Sequence, residues 1–126
     1  MTTREIDRSS WREELDSFSR QHEGWIVSIT MRTASGDIAV AAHDVPLHGV
    51  SPASPSSDDI AISVGSSRTL LTHEVHEPIA VQMELTEDEA DRALIIHGND
   101  GTTTTIEFRS PMRPEEVDGI PFREPL

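Results

Sequence analysis

Cysteine and lysine are absent from the 126-residue chain. The lack of cysteine excludes a disulfide framework, a zinc–thiolate site, an iron–sulfur cluster and a thiol nucleophile. Long apolar runs are missing as well: no segment approaches the roughly 20 apolar residues that a membrane-spanning helix needs, and none follows the polar residues 2–5 as a signal peptide would. We therefore expect a cytoplasmic protein that has no membrane partner.

Basic residues are few. Ten arginines stand against 23 acidic residues, which gives a formal net charge of −13. Polyanions should be repelled by such a chain, because neutralisation of phosphates supplies most nucleic-acid affinity. Aromatic residues, at 4% of the chain, are also too scarce for a base-stacking surface. Nucleic acid is therefore not an expected partner, while 35% hydrophobic residues suffice for one folded domain.

One helix is predicted near the N-terminus, after residues 1–7, which carry no pattern and are expected to fray. Ser10 and Glu13 have the spacing of a capping box. Gly24 fits the left-handed position that ends a helix. Between these signals, one apolar stripe is formed at i, i+4 and i+7 by Trp11, Leu15 and Phe18.

Alternating apolar residues predict strands through most of the remaining chain. The predicted strands are residues 25–32, 37–43, 60–64, 71–76, 79–85, 93–97 and 102–108. Trp25 is expected to be the first core residue of the sheet, and Ile38 and Val40 are expected to point inward. The Pro/Ser-rich residues 43–59 are predicted to form the most mobile internal loop.

These elements predict an α+β, mostly β fold, in which the N-terminal helix is followed by a six- to seven-strand curved antiparallel sheet or small barrel. The alternative is an open antiparallel sheet with the helix across one face. Residues 1–110 are expected to form this single domain. Residues 111–126 contain four prolines and are predicted to be an extended or disordered tail.

The six histidines raise the question of a metal site. The segment HEVHE, residues 73–77, differs from the zincin motif because its second histidine comes one residue early. On a strand, His73 and His76 point to opposite faces and cannot share an ion. We therefore predict neither a metal site nor a cofactor.

No catalytic constellation is evident: the serines lack a G-x-S-x-G context, and no phosphate-binding loop is present. Gln21 and His22 are candidate site residues because packing and turning do not require them. Polar groups that could converge at the predicted loop, together with one strand histidine, complete the set of candidates: His43, Asp44, His48 and His73.

The leading functional hypothesis is a non-enzymatic binding or protein-interaction module that acts through a protein partner or by self-association as a homodimer. Exposed strand edges and the proline-rich tail could both pair with another chain. The alternative is a small hydrolase or metal-dependent enzyme that uses His43, Asp44, His48 and His73 around the mouth of the predicted loop.

Several segments together resemble a family of short, acidic bacterial proteins described as a domain of unknown function. The most specific segment is Arg20-Gln21-His22-x-Gly24-Trp25. The others are Val45-Pro46-Leu47-x-Gly49-Val50, Gly101-Thr102-Thr103 and Phe108-Arg109-Ser110-Pro111. The resemblance covers nearly the whole chain up to the tail, and it implies no substrate, cofactor or catalytic residue.

Overall fold

The computed structural model describes residues 2–53, 58–66, 69–87 and 90–112. Within these ranges the chain forms one 3-10 turn, one α-helix and eight strands. In chain order they are β1 (Thr2–Ile6), the 3-10 turn (Arg8–Ser10), α1 (Trp11–His22), β2 (Ile26–Arg32), β3 (Ile38–Pro52), β4 (Ile60–Ser66), β5 (Thr69–Val75), β6 (Pro78–Leu85), β7 (Asp91–Gly98) and β8 (Thr103–Met112). No helix in the described ranges has the length and apolar character needed to cross a membrane.

The strands form one antiparallel sheet in the order β1-β6-β7-β8-β2-β3-β4-β5. The sheet is curved but does not close, so β1 and β5 are its two edges. The predicted α+β, mostly β fold with an N-terminal helix is confirmed, as an open sheet and not a barrel. The expected domain boundary at residue 110 falls inside β8, and of the predicted tail, residues 113–126 lie outside the described residues.

The sheet has one strand more than predicted, because β1 forms from residues that were expected to fray. It pairs with β6 along its length, from Thr2 opposite Leu85 to Ile6 opposite Val81. Only Ile6 of this strand is buried. A single apolar residue produces no periodicity, so the pairing with β6 was not detectable from the local pattern.

The helix α1 packs on the sheet mainly through β3. Its buried stripe begins with the predicted residues and extends one turn further, to Trp11, Leu15, Phe18 and His22. The predicted capping box is wrong, since the Ser10 side chain makes no cap hydrogen bond. Gly24 ends the helix as predicted, with a φ of 86°, and its N–H donates to the Leu47 carbonyl at 2.8 Å.

The predicted loop over residues 43–59 is wrong for its first part, because β3 continues to Pro52. Residues 54–57 lie outside the described residues. The first part of β3 pairs with β2 and the second part with β4, so one strand joins the two parts of the sheet. A β-bulge marks the region before the change of partner: Ser28 on β2 faces two residues of β3, and Asp44 adopts a φ of 50°.

The prediction that Ile38 and Val40 point into the core is wrong, since each is 62% exposed. The helix meets β3 near its other end, where the Val50 N–H donates to Ser19 Oγ at 2.7 Å. Period-two alternation identifies a strand, but it does not show how far along that strand the helix reaches. Trp25 is half-buried and packs at the margin of the core.

Candidate functional site

Gln21 and His22, at the end of α1, border a cavity of about 220 Å³ between the helix and the sheet. His22 is fully buried, and its Nδ1 donates to the Phe18 carbonyl at 2.8 Å. Its Nε2 lies 3.1 Å from Oδ2 of Asp91, the buried first residue of β7. Asp91 also borders the cavity. The structure thus brings a candidate histidine together with a carboxylate that is distant in sequence.

The His22–Asp91 pair lies among aromatic rings. The imidazole stacks on Phe108 with ring centroids 4.7 Å apart, lies 4.6 Å from Phe18, and meets Trp25 edge-on at 4.8 Å. A carbonyl oxygen can only accept, so Nδ1 must carry a hydrogen. The contact with Asp91 therefore needs a further proton, shared between Nε2 and Oδ2. This hydrogen-bonded pair is built into the core.

Asp91 was not among the predicted site residues, because it falls in the polar segment between the predicted strands 79–85 and 93–97. In the structure β7 begins at Asp91, two residues earlier than predicted. Ala93 and Leu94, two and three residues further along the strand, are buried. A carboxylate at the start of a strongly apolar strand was the available signal, although it gave no indication of the partner.

A second cluster of polar groups lies where β4 begins and β5 ends. Asp59, Glu74 and His76 each offer a ligand atom, and all three atoms lie within 4.8 Å of one another. The register explains this, since Ile60 pairs with Val75 and places Asp59 beside His76. His76 Nδ1 lies 2.9 Å from Asp59 Oδ2.

Asp59 and the residues that follow His76 are held in place by further contacts. The other oxygen of the Asp59 carboxylate, Oδ1, accepts the Glu77 N–H at 2.9 Å. Glu77 has a φ of 49°, which is unusual for a residue that is not glycine. Asn99 fixes this conformation by donating its N–H to the Glu77 carbonyl at 2.9 Å and its amide to Oε1 at 3.1 Å.

His73, on β5, and His76, just after β5, have pKa shifts in opposite directions. The hydrogen bond to Asp59 raises the pKa of His76 above the ordinary histidine value, and the Asp59 charge adds to this shift. Partial burial lowers the pKa of His73, and the neighbouring His76 lowers it further. In the register, His73 lies opposite the buried Ile62, on the core face of the sheet.

These shifts predict distinct titrations. In protein freed of metal with a chelator, the midpoint of His76 in a proton NMR titration should exceed that of His73. Asp59→Asn should lower the His76 midpoint toward the ordinary value, because it removes the main cause of the shift. A His76 midpoint at or below that of His73 would contradict the observed contact.

His43 and Asp44 lie together at the bulge of β3, on the exposed surface. His43 Nδ1 is 3.3 Å from Ser28 Oγ, and its Nε2 is 3.6 Å from Asp44 Oδ2. The Asp44 N–H donates to the same serine oxygen at 3.0 Å, so the hydroxyl supports the bulge. His48 is exposed further along β3. The hydrolase hypothesis stays a prediction.

The two edges of the sheet differ in chemistry. β1 carries Arg4 and Glu5, both exposed. β5 instead carries exposed leucines: Leu70 is 46% and Leu71 is 57% exposed. Large apolar side chains on an edge strand favour pairing with another chain, whereas charged ones oppose it. Of the two edges, β5 is therefore the one suited to an interaction.

No curated protein matches the chain in sequence. The crystal structure of the Bacillus subtilis YojF protein is similar, with a TM-score of 0.51 and 10% identity over 89% of this chain and 98% of that chain. At this identity the likeness concerns the fold alone. A family model described as "Family of unknown function (DUF5335)" matches residues 2–117. The chain therefore belongs to the DUF5335 family.

Proposed function

We propose that the protein is a non-enzymatic, cytoplasmic interaction module of a bacterium, and that it self-associates as a homodimer through the edge of β5. The observation that supports this proposal is the exposed pair Leu70 and Leu71 on an outermost strand. An edge strand presents unpaired backbone N–H and C=O groups, which a second strand can satisfy.

A second copy of the chain fits this edge. In an antiparallel pairing centred on Thr72, Leu71 would face His73 of the other copy and Leu70 would face Glu74. No two like charges would then lie opposite each other. Such pairing is isologous, so the same contacts occur twice around a two-fold axis.

The net charge gives this interaction a characteristic salt dependence. Each copy has a formal net charge of −13, so two copies of the chain repel each other, although β5 itself carries a single carboxylate. Salt screens this repulsion, and the dimer should therefore become tighter between 0.05 and 0.5 M NaCl, two concentrations chosen because the screening length falls severalfold between them. A basic partner protein would show the opposite trend.

The test is sedimentation equilibrium of the full chain and two matched variants. Leu71→Lys should raise the dimer dissociation constant about 100-fold or more, because a buried leucine contributes about 1.5 to 3 kcal/mol and the interface contains two copies. Ile79→Lys is the control, since Ile79 is 58% exposed, much like Leu71 at 57%, but lies on β6.

Two results would refute the proposal. The first is a monomeric wild-type protein at all concentrations and both salt concentrations. The second is a dimer that Leu71→Lys and Ile79→Lys weaken equally. Circular dichroism of each variant checks that the sheet is intact.

A further inference from the structure

We propose that Asp59, Glu74 and His76 form a binding site for one divalent transition-metal ion, of which Zn²⁺ is the representative. The inference goes beyond self-association and does not depend on it. Its starting point is the meeting of one imidazole and two carboxylates at the β4–β5 end of the sheet, with their ligand atoms within 4.8 Å of one another.

The distances suit a single ion. Zn²⁺ binds nitrogen and oxygen ligands at about 2.0 to 2.2 Å, so two ligand atoms of one tetrahedral ion lie about 3.3 Å apart. His76 Nδ1 and Asp59 Oδ2 are 2.9 Å apart. An ion would replace the proton that these two atoms share, with only small movements of the side chains.

The backbone already positions two of the three ligands. Glu74 and His76, which immediately follows β5, are two residues apart, as expected for side chains on one face of an extended chain. Asp59 immediately precedes β4, the neighbouring strand. The Asp59 carboxylate is oriented by the Glu77 N–H, at 2.9 Å from its other oxygen. Such contacts to the second oxygen hold a metal ligand in place and are part of most metal sites.

The surroundings favour a cation with open coordination positions. A cavity of about 570 Å³ adjoins Asp59 and His76 and leaves room for water or a further ligand. Arg8 also borders this cavity, but its guanidinium is paired with Asp58. The chain's net charge of −13 also raises the local concentration of cations.

The ligand set indicates the class of ion. Imidazole is a ligand typical of zinc, copper, iron and nickel, whereas magnesium and calcium prefer oxygen ligands alone. Zn²⁺ should therefore bind more tightly than Mg²⁺ or Ca²⁺. The prediction of no metal site was based on His73 and His76, which lie on opposite faces. Asp59 and Glu74 had not been combined with His76.

Isothermal titration of chelator-treated full-length protein with ZnCl₂ tests the proposal. One Zn²⁺ per chain should bind, and His76→Ala or Glu74→Gln should each weaken binding at least about tenfold, since even the loss of an indirect contact to a metal ligand weakens binding by that much. His43→Ala is the matched control. His43 is also exposed and lies near a carboxylate, but it is outside the cluster, so its removal should leave the affinity unchanged.

A second measurement covers variants that fold poorly. In proton–nitrogen NMR spectra of the wild-type protein, substoichiometric Mn²⁺ should broaden the amide signals around Asp59, Glu74 and His76 first. Absence of saturable Zn²⁺ binding would overturn the proposal, and so would equal affinity in all four proteins. Leu71→Lys should bind Zn²⁺ as the wild type does, so failure of self-association and failure of metal binding are distinguishable.

Discussion

His22→Leu should lower the free energy of unfolding by about 3 to 5 kcal/mol. Leucine keeps most of the volume of the imidazole, so the expected loss arises from Asp91 and not from a cavity. Asp91 is 5% exposed. Among the described residues, its side chain pairs with that of His22. Removing one member of a buried pair leaves the other desolvated and uncompensated. Urea denaturation followed by circular dichroism measures the effect.

A double substitution distinguishes the pair from general packing. Asp91→Leu alone should also destabilise the protein, because the hydrogen bond to Nε2 is lost. The combination of His22→Leu and Asp91→Leu should recover much of the loss, since an apolar pair of similar volume often matches a buried ion pair. His43→Ala, at a side chain that is 76% exposed, should change stability by no more than about 0.5 kcal/mol. Additive losses in the double variant would show that the two residues do not act as a pair.

The second large effect is expected at Trp11. Trp11→Ala should cost about 3 to 5 kcal/mol, because the indole is 7% exposed and begins the buried stripe of α1. The ring also joins two elements: Nε1 donates to the Ile6 carbonyl at 3.0 Å, and the Arg8 guanidinium lies 4.7 Å from the ring centroid. Loss of the indole therefore loosens β1 as well as the helix.

Trp11→Phe separates these contributions. Phenylalanine keeps most of the apolar contact but leaves the Ile6 carbonyl without its donor, so we expect a cost of about 1 to 3 kcal/mol. The exposed neighbour Arg12 provides a helix control, and Arg12→Ala should have almost no effect on the urea midpoint. Equal midpoints for the alanine and phenylalanine variants of Trp11 would refute the assigned role of the ring in packing.

Local patterns were sufficient to identify α1 and seven of the eight strands. Trp11, Leu15 and Phe18 repeat at helical spacing, and the spacing continues to His22, which was predicted to be a residue that packing does not require. The burial of His22 could thus have been inferred by extending the stripe one turn further. The prolines of β3 were misleading: Pro46 lies opposite Ile26 and Pro52 ends the strand, although proline usually signals a loop.

The contacts between distant residues could not be predicted from local patterns. His22 meets Asp91 because β7 lies third from one edge of the sheet, and strand order is not encoded in alternation. Asp59 meets Glu74 and His76 because of the register between β4 and β5, where a shift of one residue would move the carboxylate to the other face. The candidate site thus depends on tertiary pairing that a single sequence does not specify.

The order of the strands also has a consequence for synthesis of the chain. β2 lies between β3 and β8, and Val27 pairs with Phe108, close to the end of the described chain. While the ribosome makes the middle of the protein, β2 and β3 can form a hairpin, but the other side of β2 stays open until β8 emerges. The apolar strand Ile26–Arg32 is thus exposed to wrong partners for most of translation, and completion of the core waits for nearly the last residues of the sheet.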